Sequence, residues 1–515
     1  MSVEGPYIPP MKILAPTQIR ALDAATIARE PISSTALMKR AALAAFDRLL
    51  RYYPVDAHTF VVLCGPGNNG GDGWVIAEAL RARQARVTVW AVQLGKPSAD
   101  NAHYAARFRA GTGARVVELR EGVALPELPK GTVVIDALFG SGLSRPVTGY
   151  WATVIEHIND SWAQVVSIDL PSGLFADRPT TGAVIQATRT LSFQVPKLAF
   201  FAPASAAAMG EWELLDIGLD QAALEEVKTP YHLLEADDVR ALLRPRRPFD
   251  HKGTFGHALL LAGSRGKMGA AILCARAILR AGAGLVTAQV PRCGYEIMQI
   301  AFPEAMCTID RHRFLLTELP EDLSPYRAIG MGPGLGTDPL TAAALSELLD
   351  CYDRPLVLDA DALNILAKHP GWLKRLPPNS ILTPHPKEFG RLFGRTTDDF
   401  ARWALLRERA QSLKVIIVLK MGYTAIALPD GTLHFNPTGN PGMGTAGTGD
   451  VLTGVLTGLL AQGYLPEETA LLGVYLHGLS GDLAAAALAQ ESLLAEDVIQ
   501  HLGTAFRHLR AVPAA

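Results

Sequence analysis

Short apolar runs alternate with longer amphipathic stretches along most of the chain. In the first half, residues 59–65 (TFVVLCG), 86–92 (RVTVWAV), 132–140 (TVVIDALFG) and 164–173 (QVVSIDLPSG) are rich in Val and Ile and end in Gly, Asp or Pro. Unbroken apolar runs closed by turn formers predict strands buried on both faces, as in a parallel sheet. Between the first two, residues 74–84 (WVIAEALRARQ) carry helical spacing. Strand and helix in alternation predict an α/β domain with helices on both faces.

The rhythm breaks between Leu219 and Asp250. Residues 244–250 (RPRRPFD) combine prolines with positive charge and predict an exposed connection. Residues 233–243 (LLEADDVRALL) already predict a helix of a second unit. The boundary therefore falls between Leu219 and Tyr231, dividing the chain into 1–225 and 226–515. The alternation then restarts at 257–263 (HALLLAG), followed by a helix over 269–284. It continues at 285–290 (LVTAQV), 328–334 (AIGMGPG), 355–361 (PLVLDAD), 380–386 (SILTPHP) and 415–422 (VIIVLKMG). The carboxyl end is helical and rich in Ala and Leu.

Composition narrows the class. A 515-residue chain that is 49% hydrophobic and 19% charged has material for two cores. A formal net charge of -2 gives no ground to expect a nucleic acid or an anionic membrane as partner. The five cysteines, Cys64, Cys274, Cys293, Cys307 and Cys351, are odd in number and lack C-x-x-C spacing. That argues against a disulfide framework or a zinc site and for the cytoplasm. No apolar run approaches the length of a membrane span. The lead 1–16 (MSVEGPYIPPMKILAP) has no signal-peptide pattern and reads as a disordered, Pro-rich segment.

Glycine clusters stand where strands end. Residues 65–73 (GPGNNGGDG) follow a strand and precede a helix. Glycines let a ligand approach the backbone, and the helix start offers free N–H groups. The spacing is not G-x-G-x-x-G, and the Asn and Asp side chains add oxygens that suit a hard cation. Residues 136–146 (DALFGSGLSRP) and 168–173 (IDLPSG) repeat the theme. Loops at the carboxyl ends of parallel strands converge on one crevice. Asp136, Asp169 and Ser172 are thus candidates for cation coordination or acid/base work, although a lone Asp at such a place is commonly a helix cap. Lys197 follows a further strand.

The second half offers a similar set. Residues 256–271 (GHALLLAGSRGKMGAA) lack the P-loop spacing. Asp359 and Asp361 stand at a strand end, His385 sits between two prolines, and Lys420 ends a strand beside a phosphate-sized glycine turn. Residues 444–450 (GTAGTGD) open a helix, where backbone N–H groups stabilise negative charge. Asp450 is there either a general base for a hydroxyl or a plain helix-start residue.

In this order the motifs GPGNNGGDG, DALFGSG, IDLPSG, VPK (195–197), GPGLG (332–336), DADALN (359–364), TPHPKEF (383–389) and NPGMGTAGTGDVLTG (440–454) resemble the bifunctional NAD(P)H-hydrate repair enzymes over nearly the whole chain. The resemblance implies a Rossmann-like epimerase domain and a ribokinase-like, ADP-dependent dehydratase domain. It implies as substrates NADHX and NADPHX, the hydrates of NADH and NADPH, with a homo-oligomer expected. In the epimerase, Asn68, Asn69, Gly70, Gly71 and Asp72 would bind the hydrate together with Gly140, Ser141, Gly142, Leu143, Ser144, Arg145 and Pro146. Asp169 would contact it and, helped by Lys197, interconvert the R and S epimers; Asn69, Asp136 and Ser172 would hold K+. In the dehydratase, Ala270, Gly334, His385 and Asp450 would line the hydrate site. Lys420, Met421, Gly422, Tyr423, Thr424 and Gly449 would bind ADP, carried with Mg2+. One departure stands out: Met421 occupies the place where the family has glycine after the lysine. The alternatives are a ribokinase-type small-molecule kinase and a nucleotide-sensing scaffold with degenerate sites. A complete first signature opposes the kinase, and intact Asp136, Asp169, His385 and Asp450 oppose the scaffold.

Overall fold

The computed structural model describes residues 10–511. It divides into two compact units, one built from Lys12–Thr229 and the other from Pro230 onward. Residues 1–9 of the Pro-rich lead lie outside the described residues. The rest of that lead is ordered, with a two-residue strand at Met11–Lys12 and a helix from Pro16 to Arg29. The proline at the first turn of this helix costs nothing, because its missing N–H would have no helical partner there.

The first unit holds strands β1 (Thr59–Cys64), β2 (Arg86–Val92), β3 (Val116–Leu119), β4 (Thr132–Ala137), β5 (Gln164–Ile168), β6 (Arg189–Phe193) and β7 (Glu211–Leu215). Their order across the sheet is β3-β2-β1-β4-β5-β6-β7, all parallel. This is the doubly wound, Rossmann-like arrangement, and the order reverses between β1 and β4. Alternation along β1 explains the burial. Phe60, Val62 and Cys64 join the core on one face, and Val61 and Leu63 join the core on the other. An all-apolar strand is what two covered faces require.

The second unit holds β8 (Tyr231–Leu233), β9 (His257–Leu261), β10 (Leu285–Val290), β11 (Met306–Ile309), β12 (Ala328–Met331), β13 (Leu356–Leu358), β14 (Ile381–Leu382), β15 (Ile416–Leu419), β16 (Thr424–Ala427) and β17 (Leu433–Asn436). From one edge they run β11-β10-β9-β12-β13-β14-β15-β16-β17-β8, with the two-residue strand Met11–Lys12 at the far edge. The strands from β11 to β15 are parallel; β16 pairs antiparallel with both β15 and β17. A parallel sheet with an antiparallel margin is the ribokinase-like expectation. Ala258 and Leu260 of β9 pack into a core with the helices Met268–Arg280, Thr448–Ala461 and Pro466–Ala487. The last of these is long and apolar enough, by length and composition, to cross a membrane. The sequence reading saw no such stretch, because Asp482 and the acids at the helix start interrupt the apolar run. Its Leu472, Val474 and Leu476 are buried in the core of this unit.

Two candidate active sites

In the first unit the loops after β1 and β4 meet at the point where strand order reverses. The 65–73 motif is less of a loop than the glycines suggest: the helix Asn68–Ala82 begins inside it, with Gly67 as its amino cap. Asn101 braces the turn by donating from Nδ2 to the carbonyl oxygens of Gly65 (2.7 Å) and Gly67 (2.8 Å). A Cβ on Gly65 would overlap the Leu138 carbonyl oxygen, so the two loops touch backbone to backbone.

A cavity of about 530 Å³ opens beside them. Asn68, Asn69, Asp72, the segment Gly140–Arg145, Asp169 and Lys197 line it. Gly70, Gly71 and Pro146 do not. The two glycines admit the neighbouring chain instead: a side chain at either would overlap Gly65 or Met38.

Asp169 follows β5 with φ of 67°, a left-handed conformation that an Asp rarely adopts. Such strain persists where the surroundings fix it. Here Lys197 Nζ pairs with Asp169 Oδ1 at 2.7 Å, and the Ser141 amide donates to Oδ2 at 2.8 Å. Lys197 is 1% exposed and donates also to Ser192 Oγ at 2.7 Å. Burial alone would push the Asp169 carboxyl up, but the ammonium and the Ser141 bonds hold it below its ordinary value. Asp169 is therefore ionised throughout the neutral range. Asp72 differs: burial, then the charges of Asp169, Asp23 and Asp100, push its carboxyl far up.

The three residues expected to hold a cation are not together on the cavity wall. Asn69 lines the cavity; Asp136 and Ser172 do not. Asp136 is fully buried and receives hydrogen bonds from Ser167 Oγ (2.7 Å), the Ser172 amide (2.8 Å) and the Ser172 hydroxyl. The Phe139 amide in turn donates to Ser172 Oγ at 2.8 Å, so this cluster fixes the 138–142 loop. Asn69 is only 8% exposed, and neither its Oδ1 nor its Nδ2 has a partner among the described residues. Burying an amide without partners is costly, which marks this side chain as one that awaits a ligand.

In the second unit, order reverses between β9 and β12. Gly332, with φ of 138°, lies so close to β13 that a Cβ would overlap the Asp359 carbonyl oxygen. Gly332→Ala is thus expected to destabilise this unit by at least about 3 kcal/mol, read by denaturant unfolding. A Cβ on Gly334 would lie 3.1 Å from Ala270 Cβ, so these two predicted residues are neighbours. Asp359 is buried; Lys420 Nζ pairs with its Oδ1 at 2.8 Å, and Thr453 Oγ1 donates to its Oδ2 at 2.8 Å. Asp361 Oδ2 accepts from the Gly336 amide at 2.7 Å. A Cβ on Gly449 would sit 3.5 Å from Lys420 Nζ and 3.7 Å from Asp359 Oδ2. The ammonium therefore lies against the start of the helix Thr448–Ala461, and both bring positive charge to one place.

Asp450 stands in the first turn of that helix. Burial, then the neighbouring Asp359, push its carboxyl up to about 6 against the pull of Lys420. A carboxyl raised in this way can exchange a proton in weakly acidic solution, which a general base requires. His385 caps the helix Pro386–Phe393: its Nδ1 accepts from the amides of Lys387 (3.1 Å) and Glu388 (3.3 Å). Burial lowers its pKa, and an accepting Nδ1 leaves the proton on Nε2. Met421 has no positive φ, so a side chain fits there without strain; Gly422 likewise needs no glycine. Thr424 Oγ1 donates to the Met421 carbonyl at 3.3 Å, which closes the turn through Tyr423.

Sequence reasoning missed several neighbours. In the first unit these are Arg20, Asp23 and Met38, from helices upstream of β1. In the second they are His477, whose Nε2 meets the Thr448 carbonyl at 2.9 Å, and Asp482, which accepts from the Gly439 amide at 2.9 Å. No spacing links them to the motifs they support.

A family profile described as "NAD(P)H-hydrate dehydratase" matches residues 258–503, and one described as "YjeF-related protein N-terminus" matches residues 34–199. The chain is 37% identical to the bifunctional NAD(P)H-hydrate repair enzyme of Moorella thermoacetica, covering 97% of both chains. The chain belongs to the bifunctional NAD(P)H-hydrate repair enzymes. Its relatives include the enzyme of that name from Escherichia coli, 34% identical over 90% of this chain and 88% of the other. Among solved structures it is similar to an ADP/ATP-dependent NAD(P)H-hydrate dehydratase from Bacillus subtilis co-crystallised with ATP/Mg2+. That match has 34% identity and a TM-score of 0.48, and covers 54% of this chain and 98% of the other.

Proposed function

We propose that the first unit interconverts R- and S-NAD(P)HX, and that the second dehydrates S-NAD(P)HX to NAD(P)H at the expense of ADP. The observation that carries this is one chain with two separate units, one holding the ionised Asp169 on a cavity wall and the other holding Asp450 beside the Asp359–Lys420 pair. In the epimerase, the hydrate lies on Asn68, Asn69, Asp72 and the 140–145 loop. Asp169 is the charged acid/base group, kept ionised by Lys197.

In the dehydratase, Lys420, the 421–424 turn and Gly449 receive the ADP phosphates, and Mg2+ travels with them. Ala270, Gly334, His385 and Asp450 receive the hydrate. The ring hydroxyl attacks the β-phosphorus of ADP while Asp450 takes its proton, and the bond from that phosphorus to the bridging oxygen breaks so that AMP leaves. The ring nitrogen's lone pair then expels phosphate from carbon, and the adjacent ring carbon gives its proton to water, which restores the double bond. The assay is return of NADH absorbance when the full chain meets S-NADHX and ADP.

The donors offered by Asn69 Oδ1, Asp136, Ser172 and the Phe139 carbonyl are all oxygen, and the Asn69 oxygen is buried without a partner. Such a set fits K+, which would brace the 138–142 loop beneath the hydrate. Replacing K+ by choline is then expected to slow epimerisation and to spare dehydration of the S epimer, both measured by chromatographic separation of the epimers. A cytoplasmic setting and a homo-oligomer are what we expect.

A further inference from the structure

The first unit's cavity has a carboxyl group that neither the motifs nor the family profile covers. We propose that Asp23 is a catalytic residue of the epimerase: it faces the bound hydrate and donates the proton on which the ring hydroxyl leaves. The proposal rests on the epimerase reading of this cavity.

Asp23 lies in the helix Pro16–Arg29, upstream of the matched residues 34–199. Ile19, Arg20, Asp23 and Ile27 of this helix all line the cavity. Their spacing of three, four and seven residues sets them on one helical face. The helix is held rigidly. Leu22 is buried beside Leu37, Ile217 and Leu219, and Thr26 Oγ1 accepts from the Asp220 amide at 2.9 Å. Arg29 pairs with Asp220 at 2.7 Å. Asp23 itself has no hydrogen bond or ion pair with any described residue, although its side chain is half-buried. A half-buried carboxyl group without a protein partner, on the wall of a cavity that also holds the buried, unpartnered amide of Asn69, is placed for a ligand.

Its protonation complements that of Asp169. Burial, then the charge of Asp169, push the Asp23 carboxyl up to about 6, opposed by Lys197. The other charged groups on the cavity wall are Arg20, Asp72, Asp100 and Arg145. One cavity thus holds a carboxylate fixed in its ionised form and a carboxylic acid that still carries its proton in weakly acidic solution. That pairing of unlike carboxyl groups is how acid and base roles are divided.

The chemistry balances without any outside reactant. The hydrate carries its hydroxyl on the ring carbon bonded to the ring nitrogen. Asp23 gives its proton to that oxygen, the C–O bond breaks with its electron pair going to oxygen, and the nitrogen lone pair forms a C=N bond. Water adds to the opposite face of the same carbon, the C=N electrons return to nitrogen, and the added water's proton passes to the Asp169 carboxylate. The product is the other epimer. Asp169 then loses its proton to water and Asp23 regains one from water, which resets both groups for the next turnover.

The test compares full-length wild type, Asp23→Asn, Asp23→Glu and Asp169→Asn, separating R- and S-NADHX by chromatography and correcting for protein-free conversion. Asp23→Asn is expected to slow epimerisation by at least about 100-fold and Asp23→Glu to recover part of it, with dehydration of the S epimer unchanged in both. The wild-type rate should fall as pH rises through about 6, and Asp23→Asn should lack that limb. If Asp23→Asn epimerises like wild type while Asp169→Asn does not, Asp23 is overturned and the site stands. If wild type adds nothing to protein-free conversion, the epimerase reading falls and the proposal falls with it.

Discussion

Asp450→Asn is expected to lower the dehydration rate by at least about 100-fold, with epimerisation unchanged. The amide keeps the size of the side chain and its place in the first turn of the helix, but cannot take a proton. Its neighbours explain why this carboxyl suits the task. Asp359 is already committed to Lys420 and Thr453, and Asp361 to the Gly336 amide, so neither is free to act as base. Burial first, and then the charges of Asp359 and Asp361, raise Asp450 to about 6 against the pull of Lys420. Since the base acts when ionised, wild-type dehydration should rise as pH increases through about 6 and level off above it. Steady-state rates with S-NADHX and ADP from pH 5 to 8 would display that limb. A wild-type rate independent of pH over that window would remove Asp450 from the role.

Asp169→Ala is expected to do the opposite: to abolish enzymatic epimerisation and leave dehydration of the S epimer intact. Stability needs separate attention here. Lys197 is 1% exposed, and removing its carboxylate leaves a buried ammonium alone. Breaking a buried pair in this way costs about 3–5 kcal/mol, largely through the uncompensated charge. The double change Asp169→Asn with Lys197→Met removes both charges and keeps both volumes. It should regain most of that stability in thermal unfolding without regaining epimerisation. Recovery of epimerisation in the double variant would show that the pair only shapes the fold.

Much of this was legible in the chain because its strands are buried on both faces. That burial demands unbroken apolar runs, as at 59–64 and 132–137, and the glycines and acids that follow mark where the strands end. The order of these motifs marks a Rossmann-like unit followed by a ribokinase-like one. Residues remote in sequence were not legible. Asp23 sits in a helix with no motif, and reaches the cavity only because Leu22 is buried beside Leu37 and Ile217. Nor does a motif say which of its members face the ligand. Gly70 and Gly71 look like ligand contacts but make room for the Gly65 carbonyl and the Met38 side chain, while Asp136 and Ser172 grip each other behind the 138–142 loop. His385 reads in sequence as a binding residue held by its prolines, whereas its Nδ1 caps a helix and its Nε2 lies 3.4 Å from Glu388 Oε1. Met421, the departure from the family pattern, is harmless to the backbone, because its φ is one that any residue adopts.

The central claim is that two separate sites in one chain carry the R epimer all the way back to the reduced cofactor. The most direct measurement supplies R-NADHX as the sole hydrate, with ADP, Mg2+ and K+, and follows the near-ultraviolet absorbance of NADH against a protein-free control. Wild type should return the absorbance in full. Asp169→Ala should slow it to the pace of spontaneous epimerisation, and Asp450→Asn should prevent it while R and S still interconvert. No return of absorbance with wild type, together with ATP-dependent phosphorylation of an alcohol, would contradict the account and make the second unit a kinase.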